Sequence, residues 1–170
     1  MTKKLLILIV ALAVLSCKGH EHEAHSDKEH VQEQSHDDSK EQSIAALKKE
    51  LTEKGFQIFE YVDEKTKDTV IMQQYFIAFL KKGPNRDRSE EEAAKLQEQH
   101  MAHLGRMYEL GYADISGPFG DDGDIRGITI YNVPTLKMAD SLANLDPAVL
   151  AGSLEIEVHP WWAAKGFNLR

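Results

Sequence analysis

One cysteine, Cys17, stands in 170 residues, which excludes an intramolecular disulfide and any cysteine-based zinc cage. Positive charge is also scarce. Against 28 acidic residues there are 20 Lys and Arg, leaving a net charge of −8. No basic stripe exists to displace counterions from phosphates, so a nucleic-acid partner is excluded. The apolar run Leu5 to Leu15 is eleven residues long, too short to cross a hydrocarbon core, which takes roughly 20. The sequence has no Gly-rich phosphate cradle, no GxSxG elbow and no nucleophilic cysteine in its folded part, so hydrolase, kinase and dehydrogenase classes lose support. No cofactor is expected.

The ends of that apolar run say what it is. Lys3 and Lys4 give it a positive start, and Val14-Leu15-Ser16-Cys17 closes it. The pattern is an export signal, and its last four residues resemble a bacterial lipobox, in which the cysteine is acylated and becomes the first residue of the mature chain. Residues 1–16 are therefore expected to be a lipoprotein signal peptide and Cys17 the lipidation site. The location expected is the cell envelope, on the periplasmic or outer-surface side of a bacterial membrane.

Residues 17–41 are polar, acidic and nearly free of large apolar groups, and are expected to form a disordered tether. Five of the eight histidines fall there (His20, His22, His25, His30 and His36). Imidazole and carboxylate together suit zinc, copper or nickel, so a metal-handling role for the tether is one alternative. No defined ligand spacing occurs, a solubilising stalk fits better, and no metal site is assigned.

Residues 42–68 read as a helix-strand extension, with Ser43 as N-cap, Ile44, Leu47 and Leu51 at helical spacing, Gly55 as stop and a strand over 56–62. The folded domain is placed at 69–165. A long strand over 69–81 ends at the turn Gly83-Pro84-Asn85. Ser89 and Glu92 form a capping box, and the helix they open stops at Gly111. Strands follow over 112–116 and 125–133. Pro134 then opens a helix with Met138, Leu142 and Leu145 on one face, Asp146-Pro147 interrupts it, and a last strand covers 154–159. The order strand, helix, strand, strand, helix, strand is the ferredoxin-like split βαβ motif of the α+β class. Its helices lie on one face of the sheet, so a second copy of the chain is expected to cover the other.

On the first helix of that domain, Ala93, Leu96, Leu104 and Met107 make an apolar stripe with His100 near its middle and His103 toward its edge. An imidazole buried without a partner costs about 1–3 kcal/mol. Asp146, at the break of the second helix, is the best-placed partner. A carboxylate on one ring nitrogen fixes the tautomer that a general base needs. On these residues alone, a satisfied core histidine and a catalytic one stand level.

His100, Gly111, Gly117-Pro118, Arg126-Gly127, Asp146-Pro147 through Gly152, and Pro160-Trp161 occur in an order that resembles the YCII-related (YciI-like) domain family, over about 74–161. The resemblance implies a ferredoxin-like fold, usually dimeric, with a histidine and an aspartate tied to enzymatic function. By position these are His100 and Asp146, and His103 matches a second histidine found in many members. One relative eliminates chloride from a chlorinated lactone, and most members have no assigned reaction.

Arg126 is a candidate substrate-carboxylate ligand, set against a surface salt bridge. Ser116 is a candidate pocket hydroxyl, set against packing at a turn. Trp161 and Trp162 are expected at a dimer seam, and His159 on an exposed or interfacial strand face. Asp121, Asp122 and Asp124 lack calcium-loop spacing and read as a solvated turn. The function expected is a lipid-anchored homodimer whose His100–Asp146 pair acts as general base on a small organic acid or lactone, giving elimination or isomerisation. The alternative is a ligand- or protein-binding module without turnover.

Overall fold

The computed structural model describes residues 28–167, with side chains from residue 41 onward. The expected signal peptide, Cys17, and His20, His22 and His25 of the tether lie outside the described residues. The chain divides into two units at Asp37/Asp38. Of the first, the described part is helical backbone alone.

Helix α1 covers Lys28–Glu53, so it begins well before the Ser43 cap expected from sequence, within the stretch expected to be a disordered tether. The reason is propensity. Residues 28–42 are rich in Glu, Gln and Lys and hold no glycine or proline, so nothing stops the helix from propagating. Among the described residues no helix is long and apolar enough to cross a membrane.

Strands β1 (Ile58–Val62) and β2 (Thr69–Lys82) form an antiparallel hairpin. The Asp63 carboxylate fixes its turn by accepting from the Lys65 and Thr66 amides, both at 2.9 Å. Helix α2 (Glu90–Glu109), β3 (Ala113–Pro118), β4 (Ile125–Tyr131), α3 (Leu136–Ala143), α4 (Pro147–Leu150) and β5 (Leu154–Ala164) follow. Strand β2 pairs with β4 and β5, and β4 pairs with β3, all antiparallel. The sheet therefore runs β5-β2-β4-β3, which is the ferredoxin-like order for an α+β domain. Met72 and Gln73 pair with both β1 and β5, so β1 lies beside the start of β2 on the side that β4 occupies further along.

Strand β5 continues through Pro160 to Ala164, past the His159 end expected from sequence. It is an edge strand beside β2 alone, and an edge tolerates a proline that cannot donate. Phe76 and Ala78 of β2, Ala113, Tyr131 and Val133 build the main core with Met107 of α2 and Ala139 and Ala143 of α3. The face of α3 that is fully buried is thus its alanine pair, which lets the helix approach the sheet closely. Met138 and Leu142 pack at the margin, while Leu145 is exposed rather than joining them.

Pleating puts Tyr75, Ile77 and Phe79 on the opposite face with Ile128 and Ile130 of β4, as cross-strand partners show. His159 and Trp161 of β5 share that face. Trp161 meets the Tyr75 ring at 6.2 Å, and His159 meets Phe79 edge-on at 5.7 Å. Trp162 points to the other face and packs on Phe59 at 5.0 Å.

Gly127 of β4 lies opposite Pro118 of β3. A Cβ there would lie 2.6 Å from the Gly117 carbonyl oxygen, so Gly127→Ala must push two strands apart. The expected result is a loss of about 1–3 kcal/mol in urea unfolding, and unchanged stability would contradict this packing.

Candidate active site

Helix α2 carries the central side chain, and its ends are well fixed. Ser89 Oγ accepts from the Glu92 amide while Glu92 returns the bond to the Ser89 amide, closing the capping box. Gly111 ends the helix at φ +71°, a backbone conformation that favours glycine. Between these ends the helix is unevenly used. Met107, near its C-terminal end, is its buried residue, whereas Ala93 and Gln97 stay exposed. The N-terminal half of the apolar stripe therefore lines a cavity instead of packing into the core.

That cavity holds about 400 Å³. Leu96, His100 and Met101 of α2 form one side, and Leu80, Gly127 and Leu154 of the sheet contribute to the other. His100 lines it with only 12% of its side chain exposed. Its Nδ1 lies 2.6 Å from Asp146 Oδ2.

Asp146 is placed by the local sequence. As N-cap of α4, ahead of Pro147 at the first helical position, it accepts from the Ala148 amide through Oδ1 at 2.8 Å. Its side chain is 4% exposed. One oxygen caps the short helix and the other receives the imidazole. An ionised carboxylate only accepts, so Nδ1 is the protonated nitrogen and, in the neutral ring, Nε2 keeps its lone pair. The Tyr131 phenol is pushed well above its usual pKa by burial first and by the Asp146 charge second, so it stays protonated.

His103 is partly buried and is not among the cavity-lining residues. Its ring meets the Leu142 backbone, and its buried Nε2 has no hydrogen-bond partner among the described residues. Ser116 is also off the cavity: its hydroxyl pairs with Thr129 Oγ1 at 3.0 Å across β3 and β4. Arg126 does reach the cavity. Through one nitrogen it also holds Asp122 at 3.1 Å, with the Asp121 and Gly123 carbonyls. The aspartate loop thus serves Arg126. Among the described residues no group of acidic, His or Cys side chains is arranged to hold a metal.

Sequence reasoning missed Arg86 and Arg88, which also line the cavity. A signal for them existed: they lie between the Gly83-Pro84-Asn85 turn and the capping serine, next to the helix that carries His100.

Residues 75–162 match the model of the YCII-related domain. The chain belongs to that family. Its YCII-related domain accordingly runs from the middle of β2 through most of β5 and contains both His100 and Asp146. A similar solved structure is the 5-chloro-2-hydroxyhydroquinone dehydrochlorinase (TftG) from Burkholderia phenoliruptrix AC1100 in complex with 2,5-dihydroxybenzoquinone. It is 22% identical, with a TM-score of 0.39, and the likeness covers 51% of this chain and 92% of that one. No protein of curated function matches the sequence.

Burial lowers the His103 pKa, an effect that the Asp146 charge and the Leu142 hydrogen bond only partly offset, while the His100 and Arg106 charges act with it. The folded state then binds fewer protons than the unfolded one. The associated stability is complete above the ordinary imidazole value of about 6.5 and is lost as pH falls through the lowered folded value. Urea midpoints should therefore drop between about pH 7.5 and about pH 5.5, and drop less in His103→Gln. Equal drops in the two proteins would contradict the assignment.

Proposed function

We propose that this YCII-related protein uses His100 as a general base on a small organic acid or lactone, giving elimination or isomerisation. The observation that carries the reading is the 2.6 Å bond from the ring to Asp146, with the same ring lining a cavity of about 400 Å³. Nε2 takes a proton from a carbon beside a carbonyl. In elimination, the C–H electron pair becomes a double bond as the leaving group departs from the next carbon with its own bonding pair. In isomerisation, the same proton returns to a different carbon. Asp146 keeps the ring oriented and stabilises the imidazolium that forms. Arg126, at the cavity wall, is the substrate-contacting cation of this reading.

The assembly that fits is a homodimer, with a second copy on the open sheet face that carries Ile77, Phe79 and Ile128. Cys17 is the acylated residue of the proposed anchored form, which puts substrate and enzyme in the cell envelope.

The test is proton exchange and product formation in D2O, followed by NMR over a panel of lactones and β-substituted carboxylic acids. On any compound the wild type turns over, His100→Ala should lose about 10²–10⁴-fold in rate, and Asp146→Asn should also fall well below wild type. Full activity in folded His100→Ala would overturn the reading. A wild type that binds panel members and transforms none would favour a binding module.

A further inference from the structure

Three arginines, Arg86, Arg88 and Arg126, line the same cavity as His100. Arg88 and Arg126 are half-buried and Arg86 is exposed. Arg88 donates to the Asn85 carbonyl, to Ser153 Oγ and, at 2.6 Å, to the Ala151 carbonyl. All three acceptors are neutral, so they fix the group in place without neutralising it. Arg86 makes one long contact, 3.4 Å to the Ser153 carbonyl. Among the described residues neither Arg86 nor Arg88 takes part in an ion pair.

The nearby acids do not change this. Glu92 feels the charge of Arg88, but its carboxylate is held by the Ser89 amide and hydroxyl. Asp122 pairs with Arg126 through one guanidinium nitrogen only, and its side chain is 99% exposed. Arg126 keeps its other donors. Asp146, the buried acid that holds the His100 ring, is committed to that ring and to the Ala148 amide. The wall also has an apolar part, made by Leu80, Leu96, Met101, Pro118 and Leu154.

A cavity with surplus positive charge and an apolar wall is complementary to an organic anion. A guanidinium binds a carboxylate through two parallel, charge-assisted hydrogen bonds, which fix orientation as well as position. We propose that this cavity is an anion-binding site for small carboxylates with an apolar body, with Arg86 and Arg126 donating to the carboxylate and Arg88 supplying fixed charge behind them. The assignment rests on His100 acting within the same cavity, and it names the substrate class for that reaction. It also gives the arginines a chemical part. Negative charge that develops on the substrate as its proton leaves falls near cations already in place.

The test is a binding comparison at constant ionic strength, read by calorimetry or chemical-shift titration. The probes are acetate, succinate and benzoate, each set against its neutral amide. The wild type should prefer at least one carboxylate over its amide by on the order of tenfold, the gap between a charge-assisted and a neutral hydrogen bond. Arg86→Gln combined with Arg126→Gln should abolish that preference. Arg86 makes one long contact and Arg126 holds only the exposed 121–123 loop through one nitrogen, so the variant should stay folded with at most a small fall in urea midpoint. Arg88 ties the Asn85 and Ala151 carbonyls to the Ser153 hydroxyl and is left intact. His100→Ala should retain the preference, which separates this proposal from the base reading: lost turnover with retained preference supports both. Equal binding of acid and amide, binding of neither, or an unchanged preference in the folded double variant overturns the anion site.

Discussion

Asp146 divides its two carboxylate oxygens between a backbone amide and an imidazole, and the site depends on that division. Oδ1 caps α4 through the Ala148 amide, which fixes the carboxylate relative to the backbone. Oδ2 then holds His100 of α2, forty-six residues earlier in sequence. The packing of α4 against α2 is thus joined to the orientation of the ring. Either bond alone would leave the carboxylate free to rotate. Together they leave the histidine one tautomer and one free nitrogen.

The cavity exists because α2 is not packed along its whole length. Its C-terminal half is sealed by Met107 against Phe76, Ala113 and Tyr131. Its N-terminal half lines the cavity together with Leu80 at the end of β2, which faces Gly127 and Ile156 across the strand pairs. A glycine at 127 keeps β3 and β4 in close register and adds no side chain to the space. Gly117 and Gly127 on the sheet and exposed residues on the helix leave a hollow, and His100, held by Asp146, lines it.

Much of this was legible in the amino-acid order. Local rules reach the ends of α2, because a capping box and a left-handed glycine act over a few residues. The pairing of His100 with Asp146 was also accessible, since an Asp-Pro step both breaks a helix and places a carboxylate beside the break. Features decided by neighbours in space were not. Pro160 suggests a strand end until β5 is known to be an edge. Arg88 looks like an ordinary surface cation until the Ala151 carbonyl and the Ser153 hydroxyl are folded around it. The early start of α1 was missed for a different reason: its polar residues satisfy a helix as readily as a tether.

The central claim is that the His100 ring is held with Nδ1 protonated and Nε2 free. Long-range proton–nitrogen correlation of the imidazoles in the intact protein, assigned with a His100→Gln control, measures this directly. At a pH where the ring is neutral, the account predicts that Nδ1 carries the proton and that the opposite tautomer appears in Asp146→Asn or the two tautomers mix. A wild-type spectrum with the proton on Nε2 would contradict it.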